Sequence, residues 1–381
     1  MYHNPLLYQM RTFGMDRRAY LRAAGAVGAV GLPGLSGCLG FELQSGGSGG
    51  EGNGLVIPAV PADRPDAVYY PSHVEEVAMV DTGSGGDYEV GLMYSYAHRF
   101  WNVNGEDVER TDPVGDVHLM ASVWDAETRQ VLPETGLSLE IAKGGELVSQ
   151  EVIYPMLSQP MGFHYGANFG LDGDGTYDVT LEVGGVNTRR TGAFETRFGD
   201  PADVTVEFEY RQSERDELGL EVLDDAGDPG AVDPHEMEMM PDSYAPETGA
   251  LPGTVVGETT SNDAVLVATV LDSPPAGVER DGEYLAVSAR TPYNRMLVPA
   301  MSLEATLTRD GSAVFSGELV RTLDPDLSYH YGAVVDGVES GDELALSPTV
   351  WPQTARHEGY ETAFGGLLGG MPETRIDVSG L

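Results

Sequence analysis

The chain has 381 residues, 41% of them hydrophobic, and sets 61 acidic residues against 21 basic ones for a net charge of −40. That length suits about two domains, and the charge argues against a nucleic-acid partner, because phosphate binding needs clustered Lys and Arg, whereas the sole lysine here is Lys143. With 50 Gly, 24 Pro and no helical periodicity of useful length, composition favours an all-β protein. The acidic residues run along the whole chain instead of forming a tail, as in a haloarchaeal protein that stays hydrated in high salt.

The N-terminal segment points to export. Met15-Asp16-Arg17-Arg18-Ala19-Tyr20-Leu21 resembles a twin-arginine signal, and Met15 is a second candidate start. The apolar run from Ala23 to Leu35 is too short to span a bilayer and has the length of a signal-peptide core. It closes on Leu35-Ser36-Gly37-Cys38, which resembles a lipobox. Cys38 is the only cysteine, so no intramolecular disulfide can form and lipidation is its expected fate. Residues 1–37 therefore read as a cleaved lipoprotein signal, and 38–62 as a flexible tether centred on the Gly/Ser-rich stretch 46–54.

Alternating apolar residues then predict strands at Tyr88–Tyr96, Val117–Val123, Leu137–Ile141, Tyr177–Val183 and Val204–Tyr210. Gly144-Gly145 and Asp172-Gly173-Asp174-Gly175 supply turns. Between them lies a Pro- and Gly-containing segment, Tyr154 to Gly166, expected to be loop-like. Residues 213–262 are acidic, rich in Pro and Gly, and read as a linker. Within it, Pro234-His235-Glu236-Met237-Glu238-Met239-Met240-Pro241 is expected to be an apolar anchor against a domain, with soft-ion binding as the alternative. Strands resume at Ala264–Val270.

The chain repeats itself. His164-Tyr165-Gly166-Ala167 recurs as His330-Tyr331-Gly332-Ala333, an offset of 330 − 164 = 166. The same offset aligns Leu119 with Leu285, Arg129 with Arg295, Gly175 with Gly341, and Phe198-Gly199 with Phe364-Gly365 without a gap. Two copies of one β-sandwich domain follow, over 63–212 and 263–381.

No nucleophile elbow, phosphate loop or His-Glu-x-x-His motif is present, so an enzyme is not expected. The chemistry lies with His118 and Met120, which share one face of a strand, and with Met156 and His164. Imidazoles and thioethers together suit a borderline-to-soft metal, copper first and iron second. The alternative is that these are separate turn and core residues.

Met156 through Asn168, with Met-x7-His-Tyr-Gly-Ala-Asn, resembles a segment of the periplasmic high-affinity iron-transport proteins. Asp116-Val117-His118-Leu119 and Gly175-Thr176-Tyr177-Asp178-Val179-Thr180 are similar to two further segments of that family. The resemblance covers roughly residues 85–212. It implies an immunoglobulin-like sandwich that binds copper and supports ferrous iron uptake, with His118, Met156 and His164 on the family's copper ligands. Two positions depart from it. Met120 stands where the family has Glu. Thr188-Arg189-Arg190-Thr191 stands where it has a ligand-bearing His-x-His-Thr segment. His98, the linker or His357 of the second copy could supply the missing imidazole, the last only if the two domains face each other. The implied function is an exported, lipid-anchored metal-binding protein that hands iron or copper to a membrane permease. The alternative is a metal-free, adhesion-type sandwich pair. The second copy keeps only His330 of the four donors, with Tyr284, Ala286 and Thr322 at the others, and is expected to hold no such site. Since imidazole must be neutral to ligate, binding should weaken below about pH 6.

Overall fold

A computed structural model describes residues 56–235 and 237–381; Cys38 and the segments expected to be an export signal and a Gly-rich tether lie outside the described residues. The alternating patterns form strands in the expected places. β1 (His73–Glu75), β2 (Ala78–Gly85) and β3 (Tyr88–Ser95) precede a hairpin of β4 (Phe100–Asn104) and β5 (Asp107–Thr111). Next come β6 (Val117–Trp124), β7 (Leu137–Lys143), β8 (Glu146–Val152), β9 (Tyr154–Ser158), β10 (Gly162–Phe169), β11 (Gly175–Val183), β12 (Arg189–Arg190) and β13 (Ala202–Tyr210). A short helix, α1 (Gln212–Asp216), and β14 (Leu220–Val222) follow. The second series is β15 (Thr254–Ser261), β16 (Ala264–Leu271), β17 (Glu283–Arg290), β18 (Ser302–Arg309), β19 (Ser312–Asp324), β20 (Ser328–Val335), β21 (Glu343–Val350), β22 (Ala355–Arg356) and β23 (Thr374–Asp377).

In the first copy, the run β2-β3-β6-β10-β9 forms one layer and β13-β11-β7-β8 the other. Leu92, Leu119 and Tyr165 from the first layer share a buried core with Leu139, Val179 and Phe208 from the second. β13 alternates buried and exposed residues along its length, as a sheet with one wet face must. β6 does not: all eight of its residues are buried. Its outer face is therefore covered too, and that covered face carries the candidate site.

The second copy repeats this with β15-β16-β17-β20-β19 and β19-β18-β21-β23. Here β19 serves both layers, pairing with β18 through its first half and β20 through its second. In the first copy the same path is split into β8 and β9, since 312 − 146 and 324 − 158 both equal 166. Pro155, which lacks an N–H, stands just past the split. Upstream the offset changes: β15 minus β2 is 254 − 78 = 176, against 283 − 117 = 166 for β17 and β6. The ten extra residues of the first copy (176 − 166) lie between β3 and β6, where the β4–β5 hairpin is found.

Two segments differ from the sequence expectation. Tyr154 to Gly166 is not a loop but mostly the β9–β10 hairpin, with a tight turn at 159–161 and Gly162 at φ 63°. Pro and Gly signalled the turn, and long-range pairing extended both arms. The acidic span 213–262 holds β14 and ends in β15, which pairs with β16 and is the counterpart of β2. Its Thr- and Gly-rich sequence, Thr254-Val255-Val256-Gly257-Glu258-Thr259-Thr260-Ser261, hides an edge strand that packing, not hydrophobicity, makes.

The copies exchange strands. β22 from the end of the second copy inserts beside β9 of the first, parallel, with Ala355 opposite Met156. Its other edge pairs with β4 at Arg356 and Trp101. Reciprocally, β12 of the first copy runs parallel to β19, with Arg189 opposite Thr322. The two exchanges are the same contact at offset 166, since 355 − 189 and 322 − 156 both equal 166.

Candidate metal centre

Cross-strand register places the expected donors on one face. His164 lies opposite Met156, Gly166 opposite Met120 and Asn168 opposite His118. Side chains alternate along a strand, so these point away from the core that receives Phe163, Tyr165 and Ala167. Gly166 leaves space between them. A Cβ there would stand 2.7 Å from His118 Nε2 and 3.1 Å from Met156 Sδ. Gly166→Ala is thus expected to abolish metal binding while keeping every donor, with folding checked by circular dichroism. Full copper binding by that variant would show that the hollow is not the ion's place.

Two more imidazoles close on this hollow. His98 comes from the segment after β3, and His357 directly follows β22, its N–H donating to Leu157 O at 2.9 Å. The ring centres of His98 and His118 are 4.1 Å apart, those of His98 and His357 4.8 Å, and those of His164 and His357 5.2 Å. One nitrogen from each of His98, His118 and His357 lies within 4.8 Å of the other two. Of the donors expected from sequence, His118, Met156 and His164 thus gather, and His98 and His357 join them.

Hydrogen bonds fix the rings. His118 Nδ1–H donates to Asn168 Oδ1 at 2.8 Å, His164 Nδ1–H to Gly162 O at 3.1 Å, and His98 Nδ1–H to Arg99 O at 3.1 Å. Asn168 in turn donates from Nδ2 to the main-chain His98 O at 2.9 Å, so one amide holds the His118 ring and the His98 backbone. A ring that donates through Nδ1 keeps its lone pair on Nε2. The Nε2 atoms of His98, His118, His164 and His357 are all buried without a hydrogen-bond partner. One such orphan costs about 1–3 kcal/mol. Three that converge, on His98, His118 and His357, with the His164 ring 5.2 Å from that of His357, fit a cation, the outer bonds being those that orient metal-ligating histidines.

Burial, then the neighbouring imidazoles, hold His118 and His357 well below the ordinary imidazole range. Burial, with a smaller push from His98, takes His164 down to about 4. His118, His164 and His357 are therefore neutral well below pH 6, because charging them would strand a cation away from water. Copper retention is accordingly expected to persist through pH 5 and to fail towards pH 4, lower than the ordinary imidazole value implies. Equilibrium dialysis across that range checks it; half-release at pH 6 would contradict the buried geometry.

Met120 lines the same cavity as His98 and His357 and packs among Met93, Trp124, Met161 and Met240. Met240, with the partly buried Met237, anchors the 213–262 span to this methionine group, as the apolar-anchor reading expects. His235 from the same span also lines the cavity. Glu75, on β1, was not anticipated; the His73-x-Glu75 spacing on a short strand was its only signal. β14 holds that strand in place.

The equivalent hollow of the second copy is filled by a residue of the first, Arg189 on β12. Arg189 donates to Thr322 Oγ1 at 2.9 Å, Tyr284 Oη at 2.7 Å and Gly332 O at 2.9 Å. Tyr284 O–H then donates to His330 Nε2 at 3.0 Å, while His330 Nδ1–H donates to Ser328 O at 2.9 Å. A guanidinium occupies the place, and no orphan nitrogen remains. His330→Ala is expected to leave copper stoichiometry unchanged in the full chain; loss of an equivalent would reveal a second site.

A family model described as "Domain of unknown function (DUF7350)" matches residues 249–372. No curated protein matches the chain. Among solved structures it is similar to a copper-bound variant of FetP from a uropathogenic Escherichia coli strain, at 21% identity over 35% of this chain and 97% of that one, TM-score 0.26. It is also similar to the same protein as isolated, at 21% identity over 36% and 96%, TM-score 0.25. A copper-bound variant of P19 from Campylobacter jejuni matches at 18% identity over 35% and 96%, TM-score 0.27.

Proposed function

We propose that this protein is an exported, lipid-anchored metal-binding protein that holds one copper ion per chain and serves uptake of iron or copper by a membrane permease. The observation that carries the reading is the convergence of the buried, unpartnered imidazoles of His98, His118 and His357, with the unpartnered His164 ring beside them. Beside them, the hollow at Gly166 exposes His118 Nε2 and Met156 Sδ to one point. Nitrogen donors with a thioether favour copper within the divalent series and accept Cu(I) as well. The twin-arginine-like segment and Cys38 support export and anchoring, and the resemblance of Met156 through Asn168 to iron-transport proteins supports the link to iron. A metal-free adhesion role leaves the four orphan nitrogens unexplained. The protein reads as a carrier, not an enzyme.

The test is copper titration of the mature protein purified without chelator. One equivalent is expected, lost in His164→Ala. Absence of binding in the unmutated protein would overturn the reading.

A further inference from the structure

A divalent ion among neutral imidazoles and a thioether would bring two uncompensated charges into a buried place, which is costly unless a counter-charge is near. Two carboxylates approach the imidazole group. Glu358, next to His357 in the chain, is already committed: it accepts from Arg99 Nε at 3.1 Å and Ser72 N at 2.7 Å, and pairs with Arg99 Nη2. Glu75 is different. Among the described residues its ion-pair-distance partners are imidazoles alone: Oε1 lies 3.1 Å from His73 Nε2, and Oε2 lies 3.5 Å from His98 Nε2.

The second contact is the informative one. In the neutral ring, His98 spends its proton on Arg99 O and leaves a lone pair on Nε2, as metal ligation requires. That lone pair faces a carboxylate oxygen, and the two acceptors repel unless a proton or a metal ion lies between them, so the pair is a place for a shared cation. Donors about 2.0–2.2 Å from one tetrahedral ion are about 3.4 Å apart, close to the 3.5 Å seen here. The other carboxylate oxygen is held by a chain of bonds. Arg99 Nη2 donates to Ser72 Oγ at 3.0 Å, Ser72 O–H to His73 Nδ1 at 2.9 Å, and His73 Nε2–H to Glu75. Such an outer chain orients a metal-binding carboxylate. Glu75 keeps 16% of its side-chain surface exposed and lines the cavity, so the ion can reach it.

We infer that Glu75 is the carboxylate donor of this centre, sharing the ion with His98 and making the site prefer a divalent cation to Cu(I). The inference rests on the metal-binding reading above. Its test compares the full mature protein with Glu75→Gln, which keeps the shape and removes the charge. Cu(II) and Cu(I) dissociation constants are measured with competing chelators, and Cu(II) is also followed by electron paramagnetic resonance. Glu75→Gln should lose about 10–100-fold in Cu(II) affinity and keep Cu(I) affinity. The one-electron potential then rises by about 60–120 mV, at 59 mV per tenfold. An altered Cu(II) hyperfine pattern should accompany the loss. Equal losses for both oxidation states, or none for either, would overturn the role of Glu75 and leave the centre itself standing. No binding of either ion by the unmutated protein would overturn both. If Glu75→Gln does not fold, Glu75→Asp keeps the charge but withdraws the oxygen, and must show the same selective loss in smaller degree; undiminished Cu(II) affinity in that variant counts against the role.

Discussion

His357→Ala in the full chain is expected to lower copper affinity at least about 100-fold, since loss of even an outer-shell partner costs 10–100-fold. The reason is geometric. His357 belongs to the second copy by sequence, yet its ring centre is 4.8 Å from that of His98 and 5.2 Å from that of His164. It arrives there because β22 adds to β9, with Ala355 opposite Met156 and the His357 N–H bonded to Leu157 O. The first copy expressed alone would lack this donor and leave the outer edge of β9 unpaired. Isothermal titration of the full chain, His357→Ala and a fragment ending before β15 checks the claim. Unmutated affinity in either altered protein would mean that the first copy is complete by itself.

The apo protein should lose several kcal/mol of stability between about pH 6.5 and pH 4. Burial takes His164 and His330 down to about 4, and holds His118 and His357 well below the ordinary value. In the unfolded chain the same imidazoles titrate near 6.5. Between these values the unfolded state binds protons that the folded state refuses. Stability therefore rises with pH across the window. It is fully present above about pH 6.5 and declines as pH falls towards 4, by about 1.4 kcal/mol per pH unit for each group. Two such groups over that interval are comparable to the ~5–15 kcal/mol that holds an ordinary domain together. Urea midpoints at pH 7 and pH 5 measure this, and a midpoint that does not move would refute it. Copper should protect at pH 5, by about 2.7 kcal/mol when free ion is at 100 times its dissociation constant. His330→Gln should flatten the slope without changing that protection, because His330 bonds Tyr284 and Ser328 and lies in the copy whose hollow is filled.

Much of the fold was legible locally. Period-two alternation located β3, β6, β7, β11, β13 and β16, because one face of each meets a core and local order in the chain records it. β15 escaped because an edge strand of Thr, Gly and Glu carries little apolar signal. Tyr154 to Gly166 escaped because Pro155, Pro160 and Gly162 announce a turn but not the arms that pairing adds. At the site, residue type marked His118, Met156 and His164 as donors, and resemblance brought them into one set. Met120 shares the cavity but packs among other methionines, which its chemical type alone did not distinguish.

By itself, then, the sequence determined an all-β chain with an internal repeat, an acidic composition and one copy richer in metal donors than the other. Each of these is written in short-range pattern, self-similarity or residue chemistry. The tertiary structure decided the rest: that β22 and β12 cross between copies, that His98 and His357 meet across 259 residues of chain (357 − 98), that Glu75 faces His98 from an outlying strand, and that Arg189 fills the second hollow. Those contacts depend on which surfaces dock. Docking is selected by burial and backbone pairing summed over distant segments, and a two-residue strand such as Ala355–Arg356 leaves no periodicity from which its partner could be read.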